Sequence, residues 1–174
     1  IKRVIVSTYQ AVSGAGKEGI DELDAQVRDH SEGREMTANI LPSASAEKHY
    51  PIAFNLIPQI DVFCDNLYTK EEMKMVNETK KIMEDYEMRI TATTIRVPVY
   101  RSHSESVNIE LEKEVDLGAM REALAKFPGV TVQDDPSKQE YPMPLYTSEK
   151  DDVYVGRLRR DESCEKSYNM WVVG

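Results

Sequence analysis

Short apolar runs alternate along the chain with amphipathic stretches. Val4 to Tyr9 is a β-branched run with the pattern of a buried strand. "SGAGKEG" follows as a turn. Ile20, Leu23 and Val27 then recur at helical spacing and predict an amphipathic helix over about residues 17–30. Residues 31–68 carry Pro42, Pro51 and Pro58 with little periodicity. A connection of that length is expected to serve a site or to pack across another chain. Thr69, with Glu72 three residues on, has the form of a capping box and opens the clearest helix. Met73, Val76, Met83 and Tyr86 mark its apolar face.

"RITATTIRVPVY" reads as a strand, with Pro98 forbidding a regular central ladder at that point. Val107, Ile109 and Leu111 alternate with Ser106, Asn108 and Glu110, the pattern of a half-buried antiparallel strand. Leu117, Met120, Leu124 and Phe127 predict another helix, stopped by Pro128 and Gly129. "VTVQD", "VYVGRLRR" and "YNMWVV" are further strands. This order predicts an α+β fold, a mixed, mainly antiparallel sheet covered by helices on one face, in a single domain over residues 1–174. The chain starts inside one strand pattern and stops one residue after another, so an excised piece of a larger protein is expected.

Composition narrows the partners. A net charge of −9 argues against nucleic acid and against an anionic membrane surface, both of which call for clustered Lys and Arg. No apolar run approaches the ~20 residues of a membrane span. Cys64 and Cys164 are too few and too far apart for a disulfide framework or a zinc site, so no metal is expected and a reducing, cytoplasmic setting is the simplest reading. Both cysteines sit among acidic residues, a setting that does not suit a nucleophile.

Candidate chemistry centres on "VYRSHSESVN". Extending the strand alternation backwards puts Glu105 and His103 on the face of Val107. His103 is then either a structural histidine at the strand rim or a general base. Arg96, between Ile95 and Val97, is expensive to bury without an anionic partner; an exposed strand face is the alternative. Seven residues separate Arg96 from His103, and an odd spacing in one strand puts them on opposite faces. They share a site only if the chain is irregular between Val97 and His103. Glu71 and Lys74 lie on one helix face, either as a solvated ion pair or as part of a site. "SGAG" allows close backbone approach but lacks the third glycine of a dinucleotide fingerprint.

Taken together, "VSTYQAVSGAG", "HYPIAFNLIPQID", "YTKEEMKM", "TTIRVPVYRSHSESVNIE", "VYVGRLRRD" and "NMWVV" resemble the aspartate-semialdehyde dehydrogenase family, in that family's order and over nearly the whole chain. The resemblance is to its catalytic and dimerisation domain, and implies a fold like the C-terminal domain of glyceraldehyde-3-phosphate dehydrogenase. It also implies roles for particular residues. His103 would be the acid/base partner of a catalytic cysteine thiolate, and Arg96 would bind the substrate carboxylate. Glu71 would meet the substrate amino group and Lys74 the phosphate. Gln10 would orient the acyl intermediate, with Ser13 and Gly14 near the nicotinamide.

The implied reaction is NADP-dependent reductive dephosphorylation of β-aspartyl phosphate to aspartate semialdehyde, on the route to lysine, threonine and methionine. The implied assembly is a homodimer through the sheet face and the segment 31–68, with further pairing into tetramers left open. The family's Asn-Cys segment, its N-terminal NADP-binding domain and its C-terminal helix have no counterpart here. The chain alone is therefore expected to be inactive and to bind NADP weakly. Two alternatives stay open: a non-catalytic dimeric assembly module, and a relative such as N-acetyl-glutamyl-phosphate reductase. The acylated amine of the latter's substrate would have little use for Glu71.

Overall fold

Six strands, β1 (Arg3–Gln10), β2 (Arg89–Arg96), β3 (Ser104–Glu110), β4 (Val130–Val132), β5 (Val153–Arg160) and β6 (Ser167–Val173), form one sheet ordered β2-β1-β3-β6-β5-β4. The computed structural model describes all residues, 1–174. β1–β2 and β4–β5 pair in parallel, whereas β1–β3, β3–β6 and β5–β6 are antiparallel. Four helices accompany the sheet: α1 (Gly16–Ser31), α2 (Lys70–Ile82), α3 (Leu117–Ala125) and the one-turn α4 (Pro144–Thr147).

α2 packs on β2, and α3 on β4 and β5. The Thr69 hydroxyl ahead of α2 meets that of Thr94, and the Tyr168 hydroxyl reaches the backbone of Val115 ahead of α3. Through the ladder, Thr94 and Tyr168 stand on the same side of the sheet, so one face carries both helices. On the other face Tyr9 and Trp171 bring their rings to 5.5 Å.

Thr69 and Glu72 form the capping box, and its glutamate does more than cap. Glu72 Oε2 accepts from the Thr69 N–H at 2.8 Å, while Oε1 accepts from the Thr94 N–H on β2 at 3.0 Å. One buried carboxylate thus satisfies an orphan helix donor and an edge-strand donor, and it fixes α2 against β2.

The core cluster lies between α1 and the connection that follows it: Val12, Leu23, Leu41, Ile52, Ala53 and Ile57. Each large side chain buried there contributes roughly 1.5–3 kcal/mol. The sequence pattern needs correction here. Val27 is exposed, and Gln26 takes the inward position. Its Oε1 accepts from the N–H groups of Ile52 and Ala53 at 2.9 and 3.0 Å, and its Nε2 donates to the Thr37 carbonyl at 2.8 Å. An apolar residue could not satisfy those buried backbone groups. Met83, Tyr86 and Phe127 likewise lie beyond their helix ends and are exposed, so the predicted apolar faces are shorter than the periodicity suggests.

Candidate active site

The strand predicted through Val97 to Tyr100 stops at Arg96. β2 and β3 are both neighbours of β1, one on each side, so the chain must cross the end of β1 to pass between them. Residues 97–103 make that crossing. The Val97 N–H donates to the Gln10 carbonyl at 3.0 Å, that of Val12 to Val99 at 2.8 Å and that of Ser13 to Tyr100 at 3.1 Å. The expected irregularity is present, and it resolves the parity problem. Arg96 and His103 end different strands, so counting residues along one strand does not apply.

Register then explains the site. Gln10 stands opposite Arg96, and Tyr9 stands opposite Ser104, so His103 begins one step beyond that pair on the other side of Gln10. Three candidate side chains form a row across the end of β1. The Gly174 carbonyl accepts from the His103 N–H at 2.7 Å and extends the β3–β6 ladder past the row.

Gln10, Gly14, Glu71, Lys74, Arg96 and His103 line one cleft of roughly 600 Å³. The structure brings six of the seven sequence candidates together. Ser13 sits beside the cleft on the 3-10 turn Val12–Ala15 but does not line it. The connection 31–68 supplies Ile40, Pro42, Ser43, Ala44, Ile60 and Asp61 to the far wall. Sequence reading missed these residues individually; the only signal was the unusual length of the connection.

Arg96 is 4% exposed. Its backbone is bonded to Ile57 in both directions, at 2.9 and 3.1 Å, and its Nη1 donates to the Ala11 carbonyl at 2.6 Å. Nε is buried without a partner, and no carboxylate of the chain forms an ion pair with the guanidinium. Burial lowers its pKa, partly offset by the charge of Glu71. An unpaired buried cation is costly, and an anion entering the cleft would remove that cost.

Glu71 joins the two ends of the site. Gln10 Nε2 donates to Glu71 Oε1 at 3.4 Å and to Thr8 Oγ1 at 3.3 Å, while Lys74 Nζ lies 3.8 Å from Glu71 Oε2. Helical spacing places Glu71 and Lys74 on the cleft side of α2.

His103 Nδ1 accepts from the Ala11 N–H at 3.3 Å. Burial and the neighbouring Arg96 charge lower its pKa, with Glu71 opposing them more weakly. The ring is therefore neutral near pH 7, with its hydrogen on Nε2. Neither Cys64 nor Cys164 lines the cleft, and no group of His, Cys, Asp and Glu could hold a metal ion.

Comparison with known proteins places the chain in a family. The chain is 49% identical over 174 residues to "Aspartate-semialdehyde dehydrogenase" of Bacillus subtilis, covering 99% of this chain and 50% of the relative. A crystal structure titled as aspartate semialdehyde dehydrogenase II from Vibrio cholerae complexed with ASA superposes at TM-score 0.90 with 40% identity, covering 100% of this chain and 49% of that one. The Candida albicans enzyme with NADP, at 21% identity and TM-score 0.66, covers 100% and 45% and shows the fold alone. The class that the fold defines is the α+β domain of glyceraldehyde-3-phosphate dehydrogenase type. The family described as "Semialdehyde dehydrogenase, dimerisation domain" matches residues 1–174, and the chain belongs to it. It spans about half the length of the curated relatives it matches.

Proposed function

We propose that these residues are the substrate-binding and dimerisation half of an aspartate-semialdehyde dehydrogenase, which reduces β-aspartyl phosphate to aspartate semialdehyde with NADPH through a cysteine thioester. The observation that carries this reading is Arg96, a buried guanidinium with an unpartnered Nε and no ion pair, beside His103 and Gln10.

Each residue type suits one part of the substrate. The planar guanidinium of Arg96 takes the carboxylate, and Glu71 accepts from the ammonium group. Lys74, an exposed point charge at the cleft mouth, takes the phosphate. The Gln10 amide, held only by long hydrogen bonds, turns to orient the acyl carbonyl. Neutral His103 turns its Nε2–H towards the cleft as a hydrogen-bond donor to a thiolate or to the oxygen of the acyl carbon, and keeps its proton in doing so. The thiolate comes from outside these 174 residues, since neither cysteine reaches the cleft. An acylated amine would waste Glu71, which disfavours the N-acetyl-glutamyl-phosphate reductase alternative.

NADP, when bound, supplies the hydride. Gly14, exposed and without a side chain, and its neighbour Ser13 suit its nicotinamide end at the cleft rim. The remainder of the cofactor is assigned to residues outside this chain. The protein that carries the domain works as a homodimer, and two unpaired cysteines fit a cytoplasmic setting.

The test is a graft in which this chain replaces the matched half of the Bacillus subtilis relative. NADP reduction with aspartate semialdehyde and phosphate should be measurable and should vanish in His103→Ala. A folded graft without turnover contradicts the proposal.

A further inference from the structure

Gly14 and Arg96 meet more closely than any side chain would permit. A Cβ built on Gly14 lies 2.6 Å from Arg96 Nη1, 3.5 Å from Cζ and 3.6 Å from Nη2. Backbone handedness does not explain the glycine. The glycines with positive φ are Gly16, Gly33 and Gly129, and Gly14 is not among them. What Gly14 supplies is space.

Nor is the crowded atom free to yield. Nη1 donates to the Ala11 carbonyl at 2.6 Å, and the same oxygen accepts from the Gly14 N–H at 3.2 Å. The two donors converge on one acceptor, which draws the glycine Cα and the guanidinium together. At its other end Arg96 is held by Ile57 and by the β1 ladder opposite Gln10. A methyl group at position 14 has to displace Nη1 from the Ala11 carbonyl.

We propose that Gly14 is a positioning residue whose missing side chain keeps the Arg96 guanidinium seated on the Ala11 carbonyl. The functional consequence rests on the proposed carboxylate role of Arg96. Bidentate carboxylate recognition depends on the plane of the guanidinium, so a tilted fork loses a charge-assisted bond while keeping its charge. Gly14 thus acts on substrate binding through Arg96, in addition to any contact at the cofactor rim.

The experiment uses the chain itself, isotope-labelled, with the Arg96 Nε–H resonance assigned by its loss in Arg96→Lys. L-aspartate is the carboxylate probe. In Gly14→Ala the backbone spectrum far from the cleft should persist while the Arg96 resonance moves. Aspartate affinity should fall about tenfold or more, the scale of one hydrogen bond to a charged group. An Arg96 resonance at its wild-type position in Gly14→Ala overturns the inference. A moved resonance in a protein that, as wild type, ignores aspartate upholds the steric role and refutes the carboxylate reading instead.

Discussion

Ala11 donates its backbone N–H to Nδ1 of His103 at 3.3 Å. This bond decides which ring nitrogen carries the proton in the neutral form. Nitrogen NMR of the chain at pH 7 should show an unprotonated Nδ1 and a protonated Nε2. The opposite tautomer would mean that His103 meets the cleft as an acceptor, and the proton assignment would have to be reversed.

The lowered pKa of His103 also predicts a pH dependence. The unfolded chain takes up a proton near pH ~6.5, whereas the folded one resists it because of burial and the Arg96 charge. Below that pH the unfolded state binds more protons, so stability falls as pH drops through and below this range. Urea titrations at pH 7.5 and pH 5.5 should show a loss that is smaller in His103→Gln. An equal loss in both proteins would assign the pH dependence to other groups.

Glu105 behaves in the opposite sense. It lies opposite Thr8 on β1, makes no ion pair, and has a pKa raised by burial. Its ionised form therefore penalises the folded state above the ordinary carboxylate range. Glu105→Gln should raise the melting temperature at pH 7, and the gain should shrink as pH falls through the ordinary carboxylate range and be gone by pH ~3, where both states are protonated. A destabilised Glu105→Gln at pH 7 would point to a partner for the carboxylate.

Glu72 joins the α2 cap to β2, so Glu72→Ala leaves the Thr69 and Thr94 donors without acceptors. We expect a loss of about 2–4 kcal/mol in urea melts, combining a lost cap with a buried unsatisfied donor. A loss within ordinary surface scatter would show that water replaces both bonds.

The connection 31–68 leaves Tyr50, Phe54, Leu56, Phe63 and Leu67 exposed in the single chain. Such a concentration of apolar surface is unusual for a monomer. Light scattering at micromolar concentration should give the mass of a dimer. A monomer mass would contradict both the dimer reading and the role of this segment as its contact.

The parts of the fold that follow from local chemistry were legible in the sequence. The capping box at Thr69, the β-branched runs and the stop at Pro128–Gly129 each depend on residues within a few positions of one another. What the pattern hid depends on partners far away in sequence. Gln26 is polar on a helix but buried, because its acceptor and donors face backbone groups at Thr37, Ile52 and Ala53. Arg96 and His103 looked incompatible along one strand, because only the sheet order shows that the chain crosses β1 between them. The family resemblance named the candidate residues; the register explains why Gln10, Arg96 and His103 meet.

Kinetics of Arg96→Lys in the Bacillus subtilis graft test the central claim most directly, because lysine keeps the charge and removes the planar fork. If Arg96 holds the substrate carboxylate, kcat/KM for aspartate semialdehyde should fall by about thirty- to a hundredfold, the equivalent of about 2–3 kcal/mol, with the KM for NADP unchanged. An unchanged kcat/KM for aspartate semialdehyde in a folded Arg96→Lys protein would contradict the account.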